Sequence, residues 1–109
     1  MKDFINLLSD AKTATDQQSK EELWQVEGRL KNGNQTFKFD IRPLIPVRGT
    51  VGKTGYFKTK SDKIVFETIN KWVIFDTEEL HKYINPVNKR VIDIQELLEN
   101  LSWNLIIDK

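Results

Sequence analysis

The chain has no cysteine, one histidine and three prolines among its 109 residues. The absence of cysteine excludes disulfides and thiolate chemistry, and it is compatible with a reducing cytosol. Because His81 is the only histidine, there is no cysteine and no catalytic serine motif occurs, the residues needed for a catalytic triad or a zinc site are missing. We therefore expect neither a cofactor nor a metal, and the sequence favours a non-catalytic role without deciding the question.

Long apolar runs are absent as well. No segment approaches the roughly 20 apolar residues of a membrane span, and the N-terminal MKDFINLLSD has acidic residues where a signal peptide needs an apolar run. We expect a cytoplasmic protein with no membrane contact. Seventeen basic and sixteen acidic side chains leave a formal net charge of +1. Any attraction to DNA or to an anionic membrane must therefore be local.

The length and composition are typical of one domain with one modest core, because 39% of the residues are hydrophobic and 30% are charged. We treat residues 1–109 as a single domain. A domain of this size buries roughly two-thirds of its unfolded surface. Pairing as a homodimer would add stability without being required, so the oligomeric state stays open.

The N-terminal part, residues 1–20, is predicted to be a helix followed by a linker. Apolar residues recur at helical spacing from Phe4 to Ala11, behind Asp3, whose carboxylate can cap the first turn. The pattern predicts a short amphipathic helix. Residues 12–20, KTATDQQSK, are polar and without period, which predicts a mobile linker or a frayed extension of the helix.

Alternation with a period of two begins after Leu23 and predicts two half-buried strands, at residues 24–30 and 37–42. Asn32-Gly33 between them is a strong signal for a hairpin with a two-residue type I′ turn. A second strand pair is predicted at residues 63–68 and 71–75. Asp76 then occupies an N-cap position with Glu79 three residues later, which predicts a helix over residues 77–84 with His81 on its surface.

A short strand at residues 90–94, a helix ending at Leu101 and a terminal strand at residues 103–107 complete the predicted elements. Together they indicate an α+β fold with a mainly antiparallel sheet of four to six strands, because parallel neighbours need crossovers of a dozen or more residues. One helix precedes the sheet and two short helices lie in the C-terminal half. Trp24, Trp72 and Trp103 fall on the inward face of their strands and are expected in the core.

The segment from residue 42 to residue 63, which we call the basic loop, is the part of the chain most typical of a binding surface. Between Asp40 and Asp62 no residue is acidic, and glycine occurs at positions 49, 52 and 55. Cations there can contact phosphates, and aromatic rings can stack on bases. The alternative is a solvated loop whose charge only keeps it in water. The candidate nucleic-acid-binding residues are Arg42, Arg48, Lys53, Tyr56, Lys58, Lys60 and Lys63.

A nucleotide-binding P-loop is not predicted within this segment. Gly52-Lys53-Thr54 matches the last three positions of the Walker pattern. However, Val47 stands where the first glycine is needed, and no amphipathic helix follows.

The run from Gly49 to Ile84 resembles the second half of the core of phage-type PD-(D/E)XK nucleases. In that family a glycine-containing stretch leads to a strand, a tight turn, a second strand and a capped helix. Residues 59–62 stand at the corresponding junction, residues 64–66 and 72–75 match the strands, and residues 77–80 match the start of the helix. The resemblance implies that nuclease fold.

The same family holds magnesium with an aspartate on one strand and a Glu-x-Lys on the next, and this chain has no Glu-x-Lys in its central strands. The resemblance therefore implies the fold without its metal site. Glu27 and Asp40 are the residues to test for nuclease activity.

Two hypotheses from different classes follow. The leading one is a non-catalytic binding module whose basic loop meets a polyanion, most simply DNA or RNA. The alternative is a protein-interaction or inhibitor module, of phage or mobile-element origin, that uses its sheet edges or its C-terminal helix and strand. A degenerate nuclease is a minor third reading.

Overall fold

The computed structural model describes residues 2–31, 33–43, 50–52, 59–84 and 91–109. In chain order these residues form α1 (Lys2–Ile5), β1 (Leu8–Thr13), α2 (Asp16–Glu22), β2 (Val26–Leu30), β3 (Thr36–Pro43), β4 (Thr50–Gly52), β5 (Lys63–Glu67), β6 (Lys71–Asp76), α3 (Thr77–Ile84), β7 (Val91–Asp93), α4 (Ile94–Asn100) and β8 (Asn104–Asp108). The order in the large sheet is β1-β2-β3-β5-β6-β8, and β4 pairs with β7 in a separate ribbon. The α+β class is confirmed.

The large sheet is mixed, although most of its strand pairs are antiparallel as predicted. The exception is the pair β3 and β5, which run parallel with Phe39 opposite Lys63 and Ile41 opposite Val65. Residues 44–62 provide the long crossover that a parallel pair requires. The strands before and after the basic loop therefore run in the same direction. Within this loop β4 forms its own antiparallel pair with β7.

The N-terminal region differs from its prediction. The helix is limited to α1, and Leu8 instead begins the edge strand β1, where it lies opposite Leu30 of β2. Residues 12–20, predicted as a linker, include the end of β1 and most of α2, whose first turn is closed by a capping box between Thr15 and Gln18. The helical spacing failed as a predictor because its apolar residues serve two different elements.

The hairpin of β2 and β3 is confirmed as antiparallel, but its connection is longer than predicted. The last cross-strand pair joins Arg29 to Thr36, and the connection between the two strands spans residues 31–35 and not two residues. Leu30 pairs with Leu8 on the other side of β2. The turn type at Asn32 lies outside the described residues.

Two hydrophobic clusters occupy opposite faces of the sheet, because side chains alternate along each strand. On one face, residues of β5 and β6 pack against Leu80, Ile84, Leu97 and Leu101 from α3, α4 and the segment that follows. On the other face the cluster comprises Phe4, Leu8, Val26, Phe39, Val65, Trp72 and Ile74. Trp24 and Trp72 are buried as predicted, whereas Trp103 is half-buried.

The helix α3 begins and ends where the sequence predicts. Asp76 Oδ2 accepts a hydrogen bond from the Glu79 N–H at 3.0 Å, which is the N-cap bond. The Glu79 carboxylate accepts the N–H groups of Ser102 and Trp103 at 2.8 and 2.9 Å. Glu79 thereby fastens the connection between α4 and β8 to α3.

No helix among the described residues is both long and apolar enough to cross a membrane.

Candidate functional site

The first cation of the basic loop, Arg42, is turned back onto the sheet. Its Nε and Nη2 atoms donate to Asp40 Oδ2 at 3.1 and 2.8 Å. The Asp40 side chain is 2% exposed, and a buried carboxylate is costly unless a cation or hydrogen-bond donors compensate it. Arg42 therefore compensates the buried charge of Asp40 within the domain itself.

The last cation of the basic loop, Lys63, is buried at the start of β5, with 5% of its surface exposed. Its Nζ atom donates to Asp76 Oδ1 at 2.9 Å and lies 3.7 Å from the centroid of the Trp103 ring and 4.6 Å from that of Phe37. Ammonium groups are attracted to ring faces at such distances. Lys63 is thus held by one carboxylate and two aromatic rings.

Lys60, in contrast, has an exposed side chain, and only its backbone N–H is seen to bond, to the Glu22 carbonyl at 2.8 Å. Four other candidates lie outside the described residues, namely Arg48, Lys53, Tyr56 and Lys58. Nucleic-acid binding by the basic loop stays a prediction. It depends on these four residues and Lys60, because Arg42 and Lys63 already have carboxylate partners.

A pocket of about 520 Å³ opens beside Lys63. Its walls come from Thr59 and residues 61–63, from Gln35 and Phe37 around the beginning of β3, from Asp76 and the first turns of α3, and from Trp103. His81, which was expected on the surface, lines this pocket and is half-buried, with a buried Nε2 atom. The helix position was right, but the contact of Ser61 and Asp62 with the start of α3 has no signal in the helix sequence.

Three buried hydroxyl groups line one wall of the pocket. Thr59 Oγ1 donates to Ser61 Oγ at 3.0 Å, and Ser61 Oγ and Thr77 Oγ1 share a hydrogen bond at 3.1 Å. Each hydroxyl has one hydrogen to donate, so two bonds among three groups leave one donor for an acceptor outside the cluster. The wall can therefore donate a hydrogen bond to a water or to a small polar ligand. Sequence reasoning placed these residues in the nuclease resemblance but assigned no binding role to their hydroxyl groups.

Two carboxylates at the start of α3, Asp76 and Glu79, have lowered pKa values. Partial burial acts to raise the pKa of Asp76, but hydrogen bonds from Lys63 and from the Glu79 N–H, with the charges of Lys63 and Lys82, outweigh it and lower the pKa. Hydrogen bonds from the backbone N–H groups of Trp103 and Ser102 lower the pKa of Glu79. In both cases the donors favour the ionised form.

These shifts predict the pH dependence of stability. A carboxyl group whose pKa is lower in the folded state contributes stability above its unfolded pKa and loses it as the pH falls through the folded value. We expect the free energy of unfolding to be maintained above about pH 5 and to fall below it. Urea unfolding at pH 7, 5, 4 and 3 would measure this. The double variant Asp76→Asn, Glu79→Gln should show a flatter dependence, and an unchanged dependence would contradict the assignment.

The two residues singled out by the nuclease resemblance do not form a pair of free carboxylates. Asp40 is the acceptor for Arg42, and Glu27 lies opposite Lys38 in the register of β2 and β3. Within the described ranges, no group of three or more His, Cys, Asp or Glu side chains could hold a metal ion.

The two outer strands of the large sheet differ in how their edges are protected. Next to β1 the register shifts between Ser9 and Lys12, and Asp10 has a φ of 55°. A bulge and charged side chains are common ways to stop an edge strand from pairing with another chain. The outer strand β8 is regular over its whole length, and its Leu105 and Ile106 side chains are 37% and 45% exposed.

The chain matches no protein-family model, no curated protein and no solved structure.

Proposed function

We propose that this protein is a protein-interaction module that binds another polypeptide by strand addition at the outer edge of β8. The observation that carries the proposal is a regular, apolar edge strand with two exposed aliphatic side chains, Leu105 and Ile106. An exposed, flat and hydrophobic edge strand pairs readily with another strand. No catalytic step is invoked.

The alternation along β8 of residues that bond to β6 and residues whose backbone groups face outward supports this function. The Lys109 N–H donates to the Asn70 carbonyl at 3.0 Å, so Lys109 and Asn70 form a hydrogen-bonded pair. Hydrogen-bonded and non-hydrogen-bonded pairs alternate along an antiparallel ladder, and Ile107 and Leu105 therefore bond to β6. The N–H and C=O groups of Asn104, Ile106 and Asp108 point away from β6 and form the edge that a partner strand would meet.

The test compares wild-type protein with Ile106→Lys and with the control Ile69→Lys in capture experiments from host lysate treated with nuclease. Ile69 is 91% exposed and lies in the turn between β5 and β6, so both variants replace an exposed isoleucine. Partners that survive digestion, bind the Ile69→Lys variant and fail to bind Ile106→Lys are expected. Partners retained equally by both variants would contradict strand addition at β8.

A second candidate function is polyanion binding by the basic loop, favoured by the exposed Lys60 and the absence of acidic residues between Asp40 and Asp62. Titration with a duplex DNA oligonucleotide and with a single-stranded RNA should give binding that weakens steeply with salt, by roughly 0.9 in log–log slope per phosphate contact on DNA. Reversing the charges of Arg48, Lys53 and Lys58 should abolish it. Salt-insensitive binding, or none at low salt, would exclude this function.

A further inference from the structure

We propose that the strand that occupies the edge of β8 is β8 of a second copy of this chain, running antiparallel about a two-fold axis at Ile106. This inference rests on the proposed function, since it names the partner of the same edge. The resulting homodimer would have one continuous sheet that crosses the interface.

The outward groups of β8 are self-complementary in this arrangement. With Ile106 opposite Ile106 of the second copy, Asn104 lies opposite Asp108 of the second copy, and the reverse. These are the three positions whose N–H and C=O groups face outward. Each such pair exchanges two hydrogen bonds, so roughly six join the two strands, and none of the outward groups of β8 is left without a partner.

The side chains are also self-complementary. Leu105 lies opposite Ile107 of the second copy on one face of the sheet, and the two Ile106 side chains meet on the other. Leu105 and Ile106 are the two exposed aliphatic residues of this strand, and Ile107 is half-buried. Aliphatic residues placed opposite each other stabilise a strand pair. The pairing therefore covers the apolar surface that makes β8 unusual among edge strands.

Other registers of the two β8 strands are disfavoured by charge repulsion, by the limited length of the strand and by groups already bonded to β6. A shift of two residues towards the C-terminus would place Asp108 opposite Asp108 of the second copy, and like charges directly opposite destabilise a strand pair. A shift of two residues towards the N-terminus would bring Ser102, which precedes the strand, into the ladder. A shift of one residue would place the outward-facing residues of one copy opposite residues of the other copy whose N–H and C=O groups already bond to β6.

The charges at the ends of β8 do not oppose the contact. Asp108 forms an ion pair with Lys71 at 2.9 Å, and Lys109 forms one with Glu67 at 2.9 Å. In the antiparallel pair the residue opposite Asp108 is the uncharged Asn104. The charged residues at the end of β8 are thus already paired with side chains of their own copy.

Analytical ultracentrifugation of the full chain over a wide concentration range tests the oligomeric state. Wild-type protein and the Ile69→Lys control should both show a concentration-dependent dimer. Ile106→Lys would place two lysines opposite each other at the two-fold axis, and we expect its dimer dissociation constant to rise by about 10- to 100-fold, or about 1.4 to 2.8 kcal/mol. A dimer that persists in Ile106→Lys would overturn the proposal.

Disulfide trapping tests the register, and it is unambiguous because the chain has no cysteine of its own. In the proposed pair the two Ile106 Cα atoms are about 5.5 Å apart, within the range that a disulfide spans. Ile106→Cys should therefore form a cross-linked dimer on mild oxidation. Leu105→Cys is the matched control, because Leu105 lies roughly 7–8 Å from its own counterpart on the diagonal, and it should cross-link far less.

The outcomes separate this inference from the function on which it rests. A wild-type chain that is monomeric at all concentrations, with no cross-link from Ile106→Cys, overturns the homodimer. If such a monomer still captures a protein that Ile106→Lys loses, strand addition at β8 survives with a different partner. If neither dimer nor Ile106-dependent capture is found, both the inference and the function fail.

Discussion

Replacing Asp76 with alanine is expected to lower the free energy of unfolding by about 3 kcal/mol, the lower end of the range for breaking a buried ion pair, because Lys63 is buried while Asp76 is 32% exposed. The Lys63 side chain is 6% exposed and has Asp76 as its carboxylate partner at 2.9 Å. Without that carboxylate its charge would remain buried between two aromatic rings. The variant would also lose the N-cap of α3, which alone costs about 1 kcal/mol.

A surface pair of the same chemistry provides the control. Lys71 and Asp108 also lie 2.9 Å apart, but their side chains are 46% and 80% exposed. Exposed pairs contribute roughly 0.2–1 kcal/mol, so Asp108→Ala should cost far less in chemical denaturation. Adding Lys63→Met to Asp76→Ala should recover part of the loss, because no unpaired charge would remain buried. Equal losses for Asp76→Ala and Asp108→Ala would show that burial of Lys63 does not matter.

Replacing Phe4 with alanine is expected to have an effect of similar size, about 3–5 kcal/mol for a fully buried phenylalanine. The Phe4 side chain is 0% exposed, and its ring meets those of Phe39 and Trp72 edge-on at centroid distances of 5.2 and 5.3 Å. Since α1 has only four residues, its position depends largely on this one side chain. The variant should also show faster amide exchange in β1.

Two further variants calibrate the Phe4 result. Ile69→Ala removes a large aliphatic side chain that is 91% exposed, and exposed substitutions usually change stability by no more than about 0.5 kcal/mol. Phe4→Leu keeps most of the apolar volume and should fall between the two. A loss for Phe4→Ala no larger than that for Ile69→Ala would mean that α1 does not anchor the sheet.

The elements with strong local signals were predicted well. For β5, β6 and α3 the alternation, the tight turn and the Asp76 cap all act within about a dozen residues, so local chemistry decides the structure. In the N-terminal region the apolar spacing from Phe4 to Ala11 fits a helix, but the outer edge of β2 competes for the same residues. Pairing of Leu8 with Leu30 is a long-range contact that no local pattern indicates.

The candidate site was harder to predict than the fold for the same reason. Arg42 and Lys63, at the ends of two predicted strands, were counted among the nucleic-acid-binding cations of the basic loop, because sequence shows the sign of a charge and not what lies beside it. Both belong to strands, and each meets a carboxylate through the local geometry of the sheet: Asp40 two residues away along β3, and Asp76 directly opposite in the ladder of β5 and β6. The pocket and its hydroxyl cluster likewise exist only once residues 59–63 fold against α3.

The sequence by itself determined the element types of the C-terminal half, the antiparallel β2–β3 pair and the location of most core aromatics, because turn chemistry, capping and period-two burial are local effects. The tertiary structure alone decided three features: the parallel alignment of β3 with β5, the burial of Lys63, and the exposure of β8 as an apolar edge. Each of these depends on which strand lies beside which, and that choice is made by contacts between residues far apart in the chain.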